Sequence, residues 1–587
     1  MMRRDWRPSF GANLVGQDRT RFRIWAPAQR TMSVAVDGAA PLAMSRSDDG
    51  WFEAEANCGA GARYRYILQD GTPVPDPAAR AQHGDVHGAS IVVDPLSYRW
   101  RHPDWQGRPW HEAVLYEAHT GLLGGFAGVA RELPRLAALG VTAVELMPIA
   151  EFPGGRNWGY DGALQFAPES SYGSPDDLRA LVDAAHGLGL MMFLDVVYNH
   201  FGPDGNYLAR YAPEMFREGA ATPWGPALNF RRREVRRFFT ENALYWLLEY
   251  RFDGLRFDAV HAIADAGWLD EMAAEVRKTV EPGRHVHLVL ENDDNAVAHL
   301  AHGFDAQWND DGHHVLHVLL TGEREGYYED YADRPAERLA RCLKEGFIYQ
   351  GEPSPHRGGK PRGTASGDLP PTAFVLFLQN HDQIGNRAFG ERLTRLAHPK
   401  ALEAAIALLL LSPQIPLLFM GEEGASTSPF LFFTEHNAEL AQAVRSGRRR
   451  EFAKFSQFSD PKYLDKIPDP NAAETFERSK PAVDPAQAVD RERLYRHLLA
   501  LRRSEIVPRL AGARAVDASA VGPAAVTASW RMGDSALLSI AVNLGGDAAE
   551  MPKPQGRVLF ASSEAAALAA GEGRIESHST VAVLEPP

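Results

Sequence analysis

The 587-residue sequence predicts an α/β protein built on a (β/α)8 barrel, flanked by an N-terminal β-sandwich and a small C-terminal all-β domain. Three observations predict it. Eight apolar strand candidates follow one another between Val114 and Met420. Helical periodicity lies between several of them, and short alternating runs replace this texture at both ends of the chain. The length suits about two to four domains rather than one core.

Residues 1–97 form the first predicted unit, an immunoglobulin-like sandwich of the carbohydrate-binding-module kind. Runs such as Arg21-Phe22-Arg23-Ile24-Trp25 and Tyr64-Arg65-Tyr66-Ile67-Leu68 alternate, and turn formers such as Asp49-Gly50 and Asp70-Gly71 separate them. Residues 98–510 are assigned to the barrel and its insertions. Its clearest unit runs from Ser174 to Asn199. Ser174 is a good N-cap, Pro175 suits the first helical position, and Asp176 and Asp177 favour the helix dipole. Leu178, Leu181, Val182 and Ala185 make one apolar face, Gly187 and Gly189 end it, and Leu190–Val197 reads as a strand covered on both sides. The same grammar places strands near Val114–Glu117, Ala143–Met147, Gly254–Asp258, Val286–Glu291, Phe304–Trp308, Phe374–Gln379 and Ile415–Met420, the sixth being the weakest pattern. Helices fit Glu234–Tyr250 and Pro399–Leu411. Residues 456–488 are polar and Pro-rich and predict a long loop. Residues 511–587 return to short strands such as Ser539–Asn543 and Thr580–Val583.

Composition narrows the function. The formal charge is −14, which disfavours a nucleic-acid partner. Arg231–Arg233 and Arg448–Arg450 read as solvated helix faces. Cys58 and Cys342 have no metal-ligand spacing and read as free thiols in a reducing compartment. The N-terminus lacks a signal-peptide pattern, and the most apolar stretch, Ala405–Met420, is broken by Pro413 and Pro416. The expectation is a cytoplasmic enzyme with no membrane contact, cofactor or metal.

Barrel chemistry sits where strands end, and polar residues cluster there. Strand three ends Asp195-Val196-Val197-Tyr198-Asn199-His200, and strand four Arg256-Phe257-Asp258-Ala259-Val260-His261. Strand five ends Glu291-Asn292-Asp293-Asp294, and strand seven Gln379-Asn380-His381-Asp382-Gln383. One acid alone reads as a cap or a surface charge; clusters at four strand ends point to an active site. Carboxylates from different strands meet the needs of glycosidic cleavage, with a nucleophile, a proton donor and a stabiliser of the oxocarbenium-like sugar. Arg256, on the same strand face as Asp258, should keep that acid ionised, and crowding should raise the pKa of Glu291. No strand spacing gives a closed set of metal ligands.

Those four blocks resemble the signature regions of the α-amylase superfamily of glycoside hydrolases. The resemblance implies Asp258 as nucleophile, Glu291 as acid/base and Asp382 as transition-state stabiliser. It places His200, Arg256 and His381 at the sugar beside the cleaved bond, with Tyr160 of Trp158-Gly-Tyr-Asp-Gly162 against that sugar, and counts Asp195 and His261 among the substrate-binding residues; a core role is the alternative for Tyr160. Further stretches, among them Ala306-Gln-Trp-Asn-Asp-Asp311, Asp382-Gln-Ile-Gly-Asn-Arg387 and Gly447-Arg-Arg-Arg-Glu-Phe452, are similar to the maltooligosyltrehalose trehalohydrolase family. That implies hydrolysis of the α-1,4 bond next to a terminal trehalose, with Asn309, Asp310, Asp311, Gln383 and Asn386 binding maltooligosyltrehalose or related α-glucans. Asp310 or Asp311 could instead cap the following helix. Retention of configuration implies carboxyl groups about 5–5.5 Å apart. It also implies functional pairing with a maltooligosyltrehalose synthase. The sequence departs from the pattern in a shorter loop after Gly121 and at Glu423-Gly424. The rival readings are an α-glucan branching enzyme, which transfers the same intermediate, and a non-catalytic glucan-binding barrel.

Overall fold

The computed structural model describes residues 6–265, 267–455, 458 and 461–587. Its centre is a closed parallel barrel of eight strands in sequential order. They are β1 (Leu115–Ala118), β2 (Ala143–Leu146), β3 (Met191–Val196), β4 (Gly254–Phe257), β5 (His287–Leu290), β6 (Ala306–Trp308), β7 (Phe374–Phe377) and β8 (Ile415–Phe419). Seven fall inside strands expected from the sequence, and β1 runs one residue past the expected Val114–Glu117. The sixth is only 3 residues long, which is why its pattern is faint.

Helices α1 (Gly125–Leu139), α2 (Pro175–Gly187), α3 (Arg233–Leu248), α4 (Gly267–Thr279), α5 (Asp310–Thr321), α6 (Pro335–Glu345), α7 (Pro399–Leu411) and α8 (Pro485–Leu501) surround the strands. Among the described residues the link from β5 to β6 contains no α-helix, only the 3-10 turn Ala298–Ala301. Helix α2 begins with a full capping box. The Ser174 hydroxyl accepts from the Asp177 N–H, the Asp177 carboxylate accepts from the Ser174 N–H, and Pro175 opens the first turn. Its predicted apolar face, Leu178, Leu181, Val182 and Ala185, is buried.

Alternation along the strands sends one set of side chains into the lumen. Leu115, Ala143, Met191, Phe193, Val289 and Trp308 pack there, and Trp110 closes the bottom against Phe193 and His287. Phe193 fits because its neighbour in register is Gly254. A Cβ at Gly254 would lie 2.1 Å from the Phe193 ring. Gly254→Ala is therefore expected to cost about 1–3 kcal/mol of stability by overpacking. Thermal unfolding measures this, and an unchanged midpoint would contradict it.

The N-terminal residues form two antiparallel sheets around Phe22, Ile24, Val34, Phe52, Tyr64 and Tyr66. Trp25 and Trp51 are each 6% exposed and belong to this core, so neither offers a stacking face to a sugar. The module docks on α3. The backbone N–H and hydroxyl of Ser9 donate to Glu241 at 2.7 and 2.8 Å, Phe10 packs edge-on to Phe238, and Arg80 lies over Phe166 and Tyr245. At the other end, a five-stranded antiparallel sheet with the helix Glu564–Gly571 packs on α7. The Thr580 hydroxyl donates to Ala404 O at 2.7 Å.

The long loop expected over 456–488 is corrected. It contains the short helices Pro461–Leu464 and Ala473–Arg478, and α8 begins at Pro485 behind the Asp484 cap. Pro461 and Pro485 open helices rather than prevent them; Ser456, Gln457, Ser459 and Asp460 lie outside the described residues. Cys58 and Cys342 are free thiols. Among the described residues no helix is long and apolar enough to cross a membrane.

Candidate active site

The site is organised around one guanidinium. Arg256 on β4 is 0% exposed and points into the lumen over the Trp308 ring, 4.2 Å from its centroid. Its Nη1 donates to Asp195 Oδ2 at 2.6 Å and to Asp258 Oδ1 at 3.1 Å. Its Nη2 donates to Glu291 Oε2 at 2.7 Å. Acids from the ends of β3, β4 and β5 thus share one cation in a water-poor interior, where charge-assisted bonds are strong. Each acid has another donor. Tyr160 OH donates to Asp195 at 2.6 Å, Asn199 Nδ2 to Asp258 Oδ2 at 2.8 Å, and the Ala259 N–H to Glu291 at 2.8 Å.

Burial and charge oppose one another at these acids. Burial pushes the Asp258 carboxyl above the ordinary carboxylate range, although Arg256 pulls it down. The expectation that Arg256 keeps this acid low is corrected, because depth of burial outweighs the guanidinium. Glu291 is also raised, by burial first, with Arg256 opposing and the charge of Asp258 adding to the rise. Crowding contributes as expected but is not the largest cause.

Asp382, after β7, is 38% exposed. Asn386 Nδ2 donates to its Oδ1 at 3.1 Å. Its neighbour His381 is fixed by Glu117 of β1, which accepts from the His381 N–H at 3.0 Å and pairs with its Nδ1. The His381 Nε2 meets Tyr160 OH at 2.8 Å, and the two rings stack 5.1 Å apart. Burial opposes a charge on this imidazole, but Glu117 and Asp382 outweigh it and raise the pKa from 6.5 to about 9. A raised folded pKa gives stability that is complete below 6.5 and lost as pH rises through 9. The stability advantage of the wild type over Glu117→Gln should therefore shrink by about 3 kcal/mol across that window. Denaturation at several pH values measures it, and a constant difference would contradict it.

Comparisons with known proteins give the family. The family model described as "Alpha amylase, catalytic domain" matches residues 83–218, and a domain of unknown function matches 513–583. The malto-oligosyltrehalose trehalohydrolase of Deinococcus radiodurans is 44% identical over 86% of this chain and 84% of its own. The chain belongs to the malto-oligosyltrehalose trehalohydrolase family. A crystal structure from Salmonella typhimurium, which carries an alpha-amylase designation, superposes with TM-score 0.93 at 44% identity, covering 99% of this chain and 100% of that one. A Corynebacterium efficiens 1,4-alpha-glucan branching enzyme is 38% identical over only 42% of this chain and 37% of its own.

Of the residues singled out in the sequence of this trehalohydrolase-family member, Tyr160, Asp195, His200, Arg256, Asp258, Glu291 and His381 form one bonded cluster with Asp382 beside it. His200 is 3% exposed, bonds Tyr160 O through Nε2 at 3.0 Å, and stacks under the exposed ring of Trp224. Asp310 is half-buried, and its carboxyl is raised by burial and then by the charges of Glu291 and Asp293. His261 and Asn386 are exposed, and Gln383 accepts from Tyr327 OH at 3.1 Å.

Asn309 and Asp311 are corrected. Both are 0% exposed. Asn309 caps α5 through the Gly312 N–H and donates to Gly346 O at 3.0 Å. Asp311 accepts from Asn295, from the Ile348 and Tyr349 N–H groups, from Tyr331 and from Arg362. Their polar atoms are committed to holding the loop after α6, which leaves them no free group for a sugar. The helix cap is Asn309 rather than either acid.

Sequence reasoning missed Glu117, Asn199 and Trp308 as supports, and Tyr327 and Trp224 nearby; Arg448, expected on a solvated helix face, is corrected, being only 10% exposed, lying over the Phe432 ring and donating to Gly385 O at 2.6 Å. Glu117 carried a signal, a charge ending an apolar strand. The acids near Glu423-Gly424 also gain an explanation. Glu423 bonds Tyr116 OH and Arg135 of α1, while Glu422 bonds Gln379 and Tyr495 of α8. They clamp the end of β8 to the surrounding helices.

Proposed function

We propose that the chain is a retaining glycoside hydrolase that cleaves the α-1,4 bond next to the terminal trehalose of maltooligosyltrehalose. The products are trehalose and a maltooligosaccharide. The observation that carries this reading is the single guanidinium holding Asp258 and Glu291 together. It supports the roughly 5–5.5 Å spacing of a retaining pair.

In this reading the Asp258 carboxylate attacks the anomeric carbon of the glucan while Glu291 gives its proton to the departing trehalose oxygen. A glycosyl ester on Asp258 results. Glu291, now a base, takes a proton from water, and that water breaks the ester with a second inversion, so the configuration is retained. Asp382, held by Asn386 and beside the charged His381, stabilises the flattened sugar. Tyr160, His200 and Arg256 shape the site of that sugar; Asp310, His261, Gln383 and Asn386 offer hydrogen bonds at its rim. The pH profile of kcat/KM should be bell-shaped. Activity should rise as Asp258 ionises, somewhat above the usual carboxylate range, and fall as Glu291 loses its proton.

The family assignment favours hydrolysis over branching. A cytoplasmic location and a separate synthase that caps glucans with trehalose complete the reading. The test is product analysis on maltopentaose and on the same glucan capped with trehalose, with Glu291→Gln as control. Trehalose released rapidly from the capped chain alone is expected. New α-1,6 branches without trehalose would make the chain a branching enzyme.

A further inference from the structure

The barrel lumen holds a carboxyl that this chemistry does not use. Glu145 on β2 shares the face of Ala143, which packs in the lumen, whereas Val144 and Leu146 pack outward. Its neighbours in register are Glu117 on β1 and Phe193 on β3. It is 1% exposed, and neither Oε1 nor Oε2 has a protein hydrogen-bond partner. A buried polar atom without a partner costs about 1–3 kcal/mol, so such atoms are nearly always satisfied.

Glu145 is not alone. Asp195 Oδ1, Arg256 Nε and Trp308 Nε1 are also buried without a protein partner. These atoms belong to the guanidinium that holds Asp258 and Glu291, to the acid bonded to it, and to the ring beneath it. The set contains both donors and acceptors, which is what a bound water needs.

We propose that Glu145 is a positioning residue for glucan cleavage, anchoring ordered water in the lumen that bonds the undersides of Arg256, Asp195 and Trp308. The charges that bear on it are those of Glu117, its neighbour in register, and of Asp195, Arg256 and His381. Burial first, and then the charges of Glu117 and Asp195, hold its carboxyl well above the carboxylate range. As a neutral acid it both donates and accepts, and it adds no further anion to compete for Arg256. Water fixed from below keeps the Arg256 fork aimed at Asp258 and Glu291.

The inference rests on Asp258 and Glu291 being the reacting acids. The test compares the full-length wild type with Glu145→Gln, Glu145→Met and Glu291→Gln on trehalose-capped glucan. Glu145→Gln, which keeps donor and acceptor, should stay near wild type. Glu145→Met should lower kcat about 10-fold, the equivalent of one lost hydrogen bond to a charged group, with KM nearly unchanged. Wild-type kcat in the Met variant, or a Gln variant as slow as Met, would overturn the proposal. If the Met variant does not fold, a high-resolution crystal structure of the wild type decides. Ordered water bridging Glu145 and Arg256 Nε is expected, and a dry lumen would overturn it. An inactive Glu291→Gln beside an unimpaired Glu145→Met would sink this inference alone. An active Glu291→Gln would sink the reading on which it rests.

Discussion

Glu291→Gln is expected to lower kcat on trehalose-capped glucan by about 1,000-fold, within the range for removal of a general acid. Trehalose is a poor leaving group unless its oxygen is protonated as the bond breaks, and the amide has no proton to give. The loss should depend on the leaving group. On a glucosyl substrate with an acidic phenol as leaving group, the bond-breaking step of the variant should recover most of its rate. A pre-steady-state burst of phenol would show this, because hydrolysis of the intermediate still needs the missing base. The alkaline limb of the pH profile should disappear, since it reports the proton held on Glu291 by burial and by the Asp258 charge. Equal losses on both substrates would remove Glu291 from the acid role.

Asp258→Asn should be worse, with kcat lowered on the order of 10,000-fold or more, as when other covalent nucleophiles are removed. No leaving group should rescue it, because no glycosyl ester can form. The fold should survive, since the amide keeps an acceptor for Arg256 and the remaining contact is with Asn199. Substrate binding measured by calorimetry should persist. Recovery of the Asn variant on the phenolic substrate would contradict the nucleophile assignment.

The strands and the three carboxylates were legible in the sequence for one physical reason. A lumen-facing strand is almost uniformly apolar, so the acids ending β3, β4 and β5 stand out against their own strands. Asp382 stood out in the same way after Phe374–Phe377. What lay hidden depended on depth and on long-range pairing. Asp311 looks like Asp310 in sequence, yet Asp311 is fully buried and saturated with hydrogen bonds while Asp310 is only half-buried. Glu117 and His381 are 264 positions apart, and nothing local links them. The raised carboxyl of Asp258 reflects burial, which spacing does not report. Two of the helices in 456–488 were masked because a proline, Pro461 or Pro485, stands at their start.

The most direct measurement is proton NMR of trehalose-capped maltopentaose during the first seconds after wild-type enzyme is added. Trehalose signals and the α-anomer of the new reducing end should rise together, with the β-anomer following only as mutarotation proceeds. A β-anomer that appears first would contradict a covalent intermediate on Asp258, and cleavage without trehalose would contradict the assigned bond.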